Sequence, residues 1–156
     1  MILSPVALFV YNRPIHTKKV LDALKKNKIS KKTIIYIFSD ASKNLKDSKN
    51  VQKVRNIIQK FKGFKVKKIY YRKKNLGLAK NFISGITLVC NRHSKIIVLE
   101  DDNLTSPYFL KYMNDALNIY KNEESVASIS GYSYPIKNNN KKNYYFLRIA
   151  DSWGWA

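Results

Sequence analysis

The 156-residue chain contains little cysteine, few acidic residues and no long hydrophobic run. Its single cysteine, Cys90, excludes an internal disulfide and a cysteine-rich zinc site, which fits the reducing cytoplasm. No apolar stretch approaches the roughly 20 residues that a membrane-spanning helix requires. The apolar residues 5–11 lack the basic leader and the cleavage site of a signal peptide, so they indicate a first strand. We therefore expect a soluble, cytoplasmic protein with one domain, residues 1–156.

Acidic residues number 10 against 30 lysines and arginines, which gives a net charge of +20. Such a charge favours an anionic partner: nucleic acid, an anionic membrane surface or an anionic small molecule. Aromatic and basic residues alternate in residues 67–75, as in single-strand binders, but Tyr70 and Tyr71 also fit a strand. The lysines are scattered and mixed with asparagines, a pattern that compositional bias alone produces. We expect no specific nucleic-acid partner, and peripheral association with an anionic membrane stays open.

Three of the ten acids stand side by side, directly after the predicted strand of residues 95–99, KIIVL. The carboxylates of Glu100, Asp101 and Asp102 repel one another unless a cation or a ligand balances them. Successive side chains leaving a strand point in different directions, so these neighbours can serve different partners. The triplet is therefore a candidate metal site. The alternative is a solvated turn in which three acids mark the end of a strand.

Apolar runs rich in β-branched residues alternate with segments of helical periodicity along the chain. Strands are predicted at residues 5–11, 33–39, 66–71 and 95–99, with a short fifth strand at 125–130. Helices are predicted from about Pro14, from Ser48 as N-cap to about Phe61, from Leu76 to about Arg92, and after the Ser106–Pro107 pair. This alternation predicts an α/β fold with a mainly parallel, Rossmann-like sheet and helices on both faces. Residues 132–143 are predicted to be a mobile loop and residues 144–149 a last strand.

Ligands of open parallel sheets bind beyond the carboxyl ends of the strands. The four strands deliver polar groups to that edge: Asn12 and Arg13, Asp40, then Arg72 with Asn75 and Gly77, and finally the acid triplet. A glycine turn at a helix start can offer backbone N–H groups to phosphate, and an arginine can pair with phosphate or stack on a base. A divalent ion held by one or two carboxylates completes its shell with water and phosphate oxygens. The edge therefore suits a nucleoside diphosphate with a metal ion.

Each of these residues also has a simpler interpretation. Arg13 fits an exposed turn before Pro14, and Asp40 fits a residue that closes a loop. Asn75 and Gly77 fit an ordinary turn, and Lys80 fits a solvated helix position. The two histidines, His16 and His93, have basic neighbours and no metal-ligand spacing, so we expect both at the surface. It is the coincidence of these groups at one edge of the sheet, and no single residue, that indicates a binding site.

Taken together, these motifs resemble GT-A fold glycosyltransferases. Within that group they are most similar to bacterial sugar transferases related to the N-acetylglucosaminyltransferase I and glycosyltransferase family 2 enzymes. The matching segments are PVALFVYNRP, FSDAS, KNLGLAKNFISGI, IIVLEDDNLTSPYFLKYM, VASISGYS and DSWGWA. The most specific of them, IIVLEDDN, looks like the EDD version of the family's DxD motif.

The resemblance implies a role for each matching residue. Asp102 would bind Mn²⁺ or Mg²⁺, and Asp101 and Glu100 would face the ribose and the sugar of a nucleotide-diphospho-sugar, with a UDP-sugar favoured. Arg13 and Asp40 would contact the base or its phosphates. The remaining expected contacts to the nucleotide sugar come from Asn12, Asn75, Gly77 and Lys80. On the acceptor side the family places a Trp-Gly-Trp segment, here Trp153 and Trp155.

The resemblance stops at the Trp-Gly-Trp segment, because the family's catalytic base and its acceptor-binding helix follow it. We therefore assign no catalytic base; Asp151 is close to the aromatic motif, but its position does not match. The acceptor side is expected beyond residue 156, so the chain fits a truncated reading frame or a donor-binding remnant.

Three functions remain at this stage. The first is a metal-dependent glycosyltransferase that acts on a cell-surface glycan or a lipid-linked acceptor, in the cytoplasm or at the inner face of the plasma membrane. The second is a catalytically silent nucleotide-sugar-binding module. The third is a basic nucleic-acid-binding domain.

Overall fold

The structure is a computed structural model that describes residues 2–133 and 146–156. Its strands are β1 (Val6–Val10), β2 (Ile34–Ser39), β3 (Val66–Tyr71) and β4 (Ile97–Glu100). Its α-helices are α1 (Pro14–Lys25), α2 (Leu45–Lys60), α3 (Gly77–His93) and α4 (Phe109–Ile119), and a short 3₁₀ turn covers Ser30–Lys32. No helix within the described ranges combines the length and the apolar character needed to cross a membrane.

The four strands form one parallel sheet in the order β3-β2-β1-β4. Leu8 of β1 lies in register between Ile37 of β2 and Leu99 of β4, so the first strand is central. A parallel order of this kind requires a crossover between successive strands, and the helices supply it. The predicted α/β fold with a parallel, Rossmann-like sheet is confirmed.

Alternate residues of the central strands point to two separate cores. Val6, Leu8 and Val10 pack against α1, α2 and α4, while Ala7 and Phe9 pack on the opposite face, against α3. Both faces of β1 and β2 are therefore apolar, as expected of strands that are covered on both sides. Helices cover both faces of the sheet, as the sequence predicts.

Several predicted boundaries are wrong. Helix α2 begins at Leu45 rather than after Ser48, because the side chain of Asn44 accepts a hydrogen bond from the Asp47 N–H and acts as its N-cap. Helix α4 begins at Phe109; Ser106 and Pro107 precede it in a turn in which the Ser106 carbonyl accepts from the Phe109 N–H.

The predicted fifth strand is also wrong: residues 125–130 form no strand. Only Ser130 takes part in a β-bridge there, with Trp155. The predicted loop lies mostly outside the described residues, since only 132 and 133 of it are described. Of the predicted last strand, residues 146–149 are described and form no strand.

The segment that contains Trp155 extends the sheet beyond β4. The backbone N–H of Val98 donates to the Trp155 carbonyl at 2.7 Å, and Trp155 N–H donates back at 3.2 Å. This antiparallel bridge places the segment between β4 and Ser130. Gly154 is buried with a positive φ of 79°, a backbone conformation that glycine adopts without strain.

Candidate functional site

Two clefts open at the carboxyl edge of the sheet and meet at Glu100. The inner cleft, of about 480 Å³, is lined by residues of β1, β2, β4 and the start of α3: Phe9–Arg13, Asp40, Lys43, Asn75, Gly77, Leu78, Asn81, Phe82, Glu100 and Asp101. The outer cleft, of about 620 Å³, lies beyond β4: Leu99, Glu100, Asp102–Ser106, Phe109, Gly131, Tyr132, Ser152 and Trp153. The acid triplet thus separates two spaces, each large enough for part of a substrate.

Arg13 bridges two acids of the triplet. One guanidinium nitrogen donates to Asp102 Oδ2 at 2.9 Å, and the other donates to Asp101 Oδ1. Asp101 is 2% exposed, and its second oxygen accepts from the Tyr11 N–H at 3.4 Å. Burial raises the pKa of Asp101 and outweighs the opposing effect of Arg13. Burial alone lowers the pKa of Arg13, but its hydrogen bond to Asp101 and the charges of both acids raise it above the usual value.

Glu100 is half-buried between the two clefts. Its backbone N–H donates to the side chain of Asn103 at 2.8 Å, but no residue in the described parts of the chain hydrogen-bonds to its carboxylate. Burial first, and then the charges of Asp102 and Asp101, raise the pKa of Glu100. One guanidinium therefore leaves the negative charge of three carboxylates only partly balanced. Asn103, which the sequence analysis missed, fixes the turn that presents these acids.

The carboxylate oxygens of the triplet fit a divalent cation whose coordination shell is completed by a bound ligand. Within the described residues, no group of three or more histidine, cysteine, aspartate or glutamate side chains comes together so as to hold an ion alone. Asp102 is exposed beside the outer cleft, and the Glu100 carboxylate is free to accept. Mg²⁺ and Mn²⁺ prefer such oxygen ligands and keep positions for water and phosphate oxygens. The excess negative charge at the triplet is a second feature that suits a cation.

Asp40 has a structural task in the ligand-free protein. Its carboxylate is buried and accepts from the backbone N–H groups of Ala41 at 2.9 Å, Leu76 at 3.0 Å and Gly77 at 3.0 Å. A carboxylate in this position satisfies the unpaired N–H groups at the start of α3. Gly77, with φ of 73°, directs its N–H to Asp40 rather than into the cleft. Asp40 and Gly77 both line the inner cleft, but the hydrogen bonds that they form are internal to the protein.

Asp47 on α2 holds the residues that follow β1, and the sequence analysis missed it. Its carboxylate accepts from the Tyr11 hydroxyl at 2.8 Å and from Asn12 Nδ2 at 2.9 Å. The Tyr11 hydroxyl in turn accepts from the Lys43 N–H at 2.9 Å. This network fixes one wall of the inner cleft. The sequence does not indicate this network, because its members are far apart along the chain and Asp47 resembles an ordinary acid in the first turn of a helix.

The other expected binding residues differ in position. Asn75 lines the inner cleft, and its side chain donates to the Ala41 carbonyl at 2.7 Å. Lys80 is exposed on α3 and lines neither cleft. Arg72 is directed into α3, where it donates to Asn81 at 2.9 Å and Ser84 at 2.7 Å. The structure therefore brings Asn75 to the cleft but not Lys80.

Of the two tryptophans expected on the acceptor side, one lines the outer cleft. Trp153 is 56% exposed there and lies against the Tyr132 ring, with centroids 4.5 Å apart. Trp155 is partly buried, packs against the core on the α3 face and lines neither cleft. The carboxylate of Asp151 accepts from the Ser130 hydroxyl at 2.8 Å and from the Trp153 N–H at 3.1 Å, so it orders this segment.

Known proteins resemble this chain in structure. A mannosyltransferase, PcManGT from Pyrobaculum calidifontis, solved with GDP-Man and Mn²⁺, matches 83% of the chain with a TM-score of 0.58 and 14% identity. TarS of S. aureus matches 75% of it at a TM-score of 0.47 and 17% identity, a likeness too low to argue from. The chain spans 36% of the length of PcManGT and 20% of TarS. No protein-family model and no curated protein matches the chain. The comparison with PcManGT shows that the chain shares the fold of the matched part of that protein.

Proposed function

We propose that the chain is the nucleotide-sugar-binding part of a metal-dependent glycosyltransferase. The observation that carries this proposal is the position of Glu100, Asp101 and Asp102 at the end of β4, between two clefts of a glycosyltransferase fold. In this reading the inner cleft takes the nucleoside diphosphate and the outer cleft takes the acceptor. The acceptor is a cell-surface glycan or a lipid-linked glycan.

Each acid then has a different task. Asp102, exposed at the cleft, holds Mn²⁺ or Mg²⁺, and Glu100 faces the sugar between the clefts. Asp101, buried and paired with Arg13, fixes the strand end and the guanidinium beside it. A bound divalent ion would act as a Lewis acid that stabilises the leaving diphosphate. Asn12, Asn75 and the Tyr11 wall bound the space for the nucleoside.

We propose a UDP-sugar as donor. PcManGT was solved with GDP-Man, so a GDP-sugar is the alternative donor that each assay should include. We place the protein in the cytoplasm, with peripheral association with an anionic membrane through its net charge of +20.

A catalytically silent nucleotide-sugar-binding module is the second candidate. Inverting transfer needs a base near the acceptor hydroxyl. Among the described residues, Asp40 is the one carboxylate outside the triplet that lines a cleft. It is buried, and backbone N–H groups already donate to both of its oxygens. This observation favours a module that binds a donor without transferring its sugar.

Thermal unfolding with UDP or GDP, each with and without Mn²⁺, tests the proposal, since ligands of the native state raise the melting temperature. We expect a rise with nucleotide and Mn²⁺ together, lost in Asp102→Asn and kept in Asp115→Asn, a control with an exposed acid on α4. A rise with an oligonucleotide alone would instead support a nucleic-acid-binding domain.

Release of UDP or GDP from a nucleotide sugar, measured in the samples that show the thermal shift, separates the two candidates. A transferase splits the donor slowly even with water as acceptor, whereas a silent module binds the donor and leaves it intact.

A further inference from the structure

Three basic side chains meet at the end of α3, away from both clefts. His93 Nε2 lies 2.8 Å from the buried Tyr36 hydroxyl, and Lys68 Nζ on β3 donates to the same hydroxyl at 3.5 Å. Arg92 donates to the Tyr70 hydroxyl at 3.2 Å. His93 is half-buried rather than at the surface, so the sequence-based expectation for it is wrong, whereas that for His16 is confirmed.

The aromatic rings of the α3 face position these three groups. Lys68 Nζ lies 5.3 Å from the centroid of the Tyr36 ring, and the His93 ring meets the same ring edge-on at 5.6 Å. Tyr36 and Tyr70 stack at 6.2 Å. The three basic side chains are therefore carried on a strand and a helix rather than on a loop.

Within the described residues, no acidic group pairs with the two cations of this site, Lys68 and Arg92. The ion pairs in the described parts of the chain are those of Arg13, Lys18 and Lys111. The groups beside His93 are Tyr36 of β2, Lys68 of β3 and Arg92 of α3 itself. Burial, and then the charges of Lys68 and Arg92, lower the pKa of His93.

The charge of a helix end explains only part of this arrangement. Basic residues are favoured in the last turn of a helix, which accounts for Arg92 and His93. It does not account for Lys68, which donates to the Tyr36 hydroxyl from another element although its charge repels that of Arg92. A ligand with two negative charges would compensate Lys68 and Arg92 and would favour the protonated form of His93.

We propose that Lys68, Arg92 and His93 form a binding site for a phosphate monoester dianion, separate from the inner cleft. The guanidinium can hold two phosphate oxygens side by side, and the ammonium acts as a point charge beside it. Helix α3 has 17 residues and starts in the inner cleft, so its other end lies about 25 Å away. The phosphate comes from a soluble phosphate compound or from a lipid headgroup.

The chain contains two histidines, so NMR of the imidazole nitrogens tests the site directly, with His16 on α1 as the internal control. The pH titration is recorded with inorganic phosphate and with sodium chloride at equal ionic strength, because salt alone screens the neighbouring cations. We expect phosphate to raise the pKa of His93 by about 0.5 or more beyond the chloride value, and to leave His16 at its chloride value. An equal change at both histidines, or no difference from chloride, overturns the proposal.

Variants of exposed side chains assign the response to this site. Lys68→Gln and Arg92→Gln should abolish the specific phosphate effect on His93, while Lys53→Gln, which removes the same charge from an exposed position of α2, should retain it. A phosphate effect that survives both Lys68→Gln and Arg92→Gln contradicts the proposal.

Flotation with phosphatidylcholine vesicles that contain phosphatidic acid identifies the source of the phosphate. Weaker flotation of Arg92→Gln than of Lys53→Gln supports a lipid headgroup. Equal flotation of these variants, together with the phosphate effect on His93, supports a soluble phosphate compound.

Discussion

Arg13 is the residue on which the acidic site depends in the ligand-free protein. It is the cation that pairs with Asp101 and Asp102, and Asp101 is almost fully buried. The sequence predicts that Arg13 and the triplet share an edge, because both follow strand ends. It cannot predict that they pair, because the pairing depends on β1 and β4 being neighbours in the sheet.

Arg13→Met should destabilise the protein by about 2 kcal/mol, because it leaves a buried carboxylate without its cation. The measurement is the free energy of unfolding in urea. In the double variant with Asp101→Asn, most of the loss should disappear, since the buried group is then neutral. Additive losses from the two substitutions would show that the pair is not coupled.

His93 should make stability depend on pH. Burial and the charges of Lys68 and Arg92 hold its pKa in the folded protein below the usual value of 6.5, so the unfolded chain takes up this proton first as the pH falls. Stability is therefore full above pH 6.5 and is lost as the pH falls through the lower folded value. In phosphate-free buffer, His93→Gln should reduce the slope of unfolding free energy against pH between roughly pH 5 and pH 7.

His16→Gln is the matched control for this measurement and should leave the slope unchanged. A slope that is the same in wild type and in His93→Gln would mean that another group causes the loss of stability.

At the scale of the elements, strands and helices were predictable from hydrophobic period, and their ends were less so. The apolar run of β4 and the apolar face of α3, which carries Phe82 and Val89, can be recognised in the sequence. The start of α2 does not, because Asn44 and Ser48 are both good N-caps and tertiary contacts of Asp47 favour the earlier one.

The bridge of Trp155 to β4 could not be predicted for a different reason. Trp155 forms isolated β-bridges with Val98 and Ser130, and a bridge of single residues leaves no hydrophobic periodicity in the sequence. The resemblance to glycosyltransferases led us to expect both tryptophans at the acceptor, whereas in the ligand-free structure only Trp153 lines the outer cleft.

Asp40, at the end of β2, accepts hydrogen bonds from the first N–H groups of α3, and a substitution can test this capping role. Asp40→Asn places an amide among three N–H donors, so we expect a loss of about 2 kcal/mol in unfolding free energy. Asp22→Asn, which removes only an exposed ion pair with Lys18, should cost less than about 0.5 kcal/mol. Equal, small losses would show that Asp40 does not cap α3.

At the scale of the whole molecule, the net charge of +20 opposes folding through self-repulsion. Salt screens this repulsion, so raising sodium chloride from about 20 mM to about 300 mM should raise the melting temperature by about 2 to 5 °C. Scanning calorimetry at neutral pH provides the measurement. A melting temperature that falls with salt would show that the ion pairs of Arg13 and other residues outweigh the repulsion.

The two clefts, the acid triplet and the fold shared with PcManGT support our proposal that the inner cleft binds a nucleoside diphosphate through a metal held by Asp102. Titration calorimetry of UDP and of GDP into the protein, with and without Mn²⁺, tests it most directly. The account predicts binding that requires Mn²⁺ and weakens at least about tenfold in Asp102→Asn, a loss of about 1.4 kcal/mol. Binding that is equally strong without Mn²⁺, or unchanged in Asp102→Asn, would contradict it.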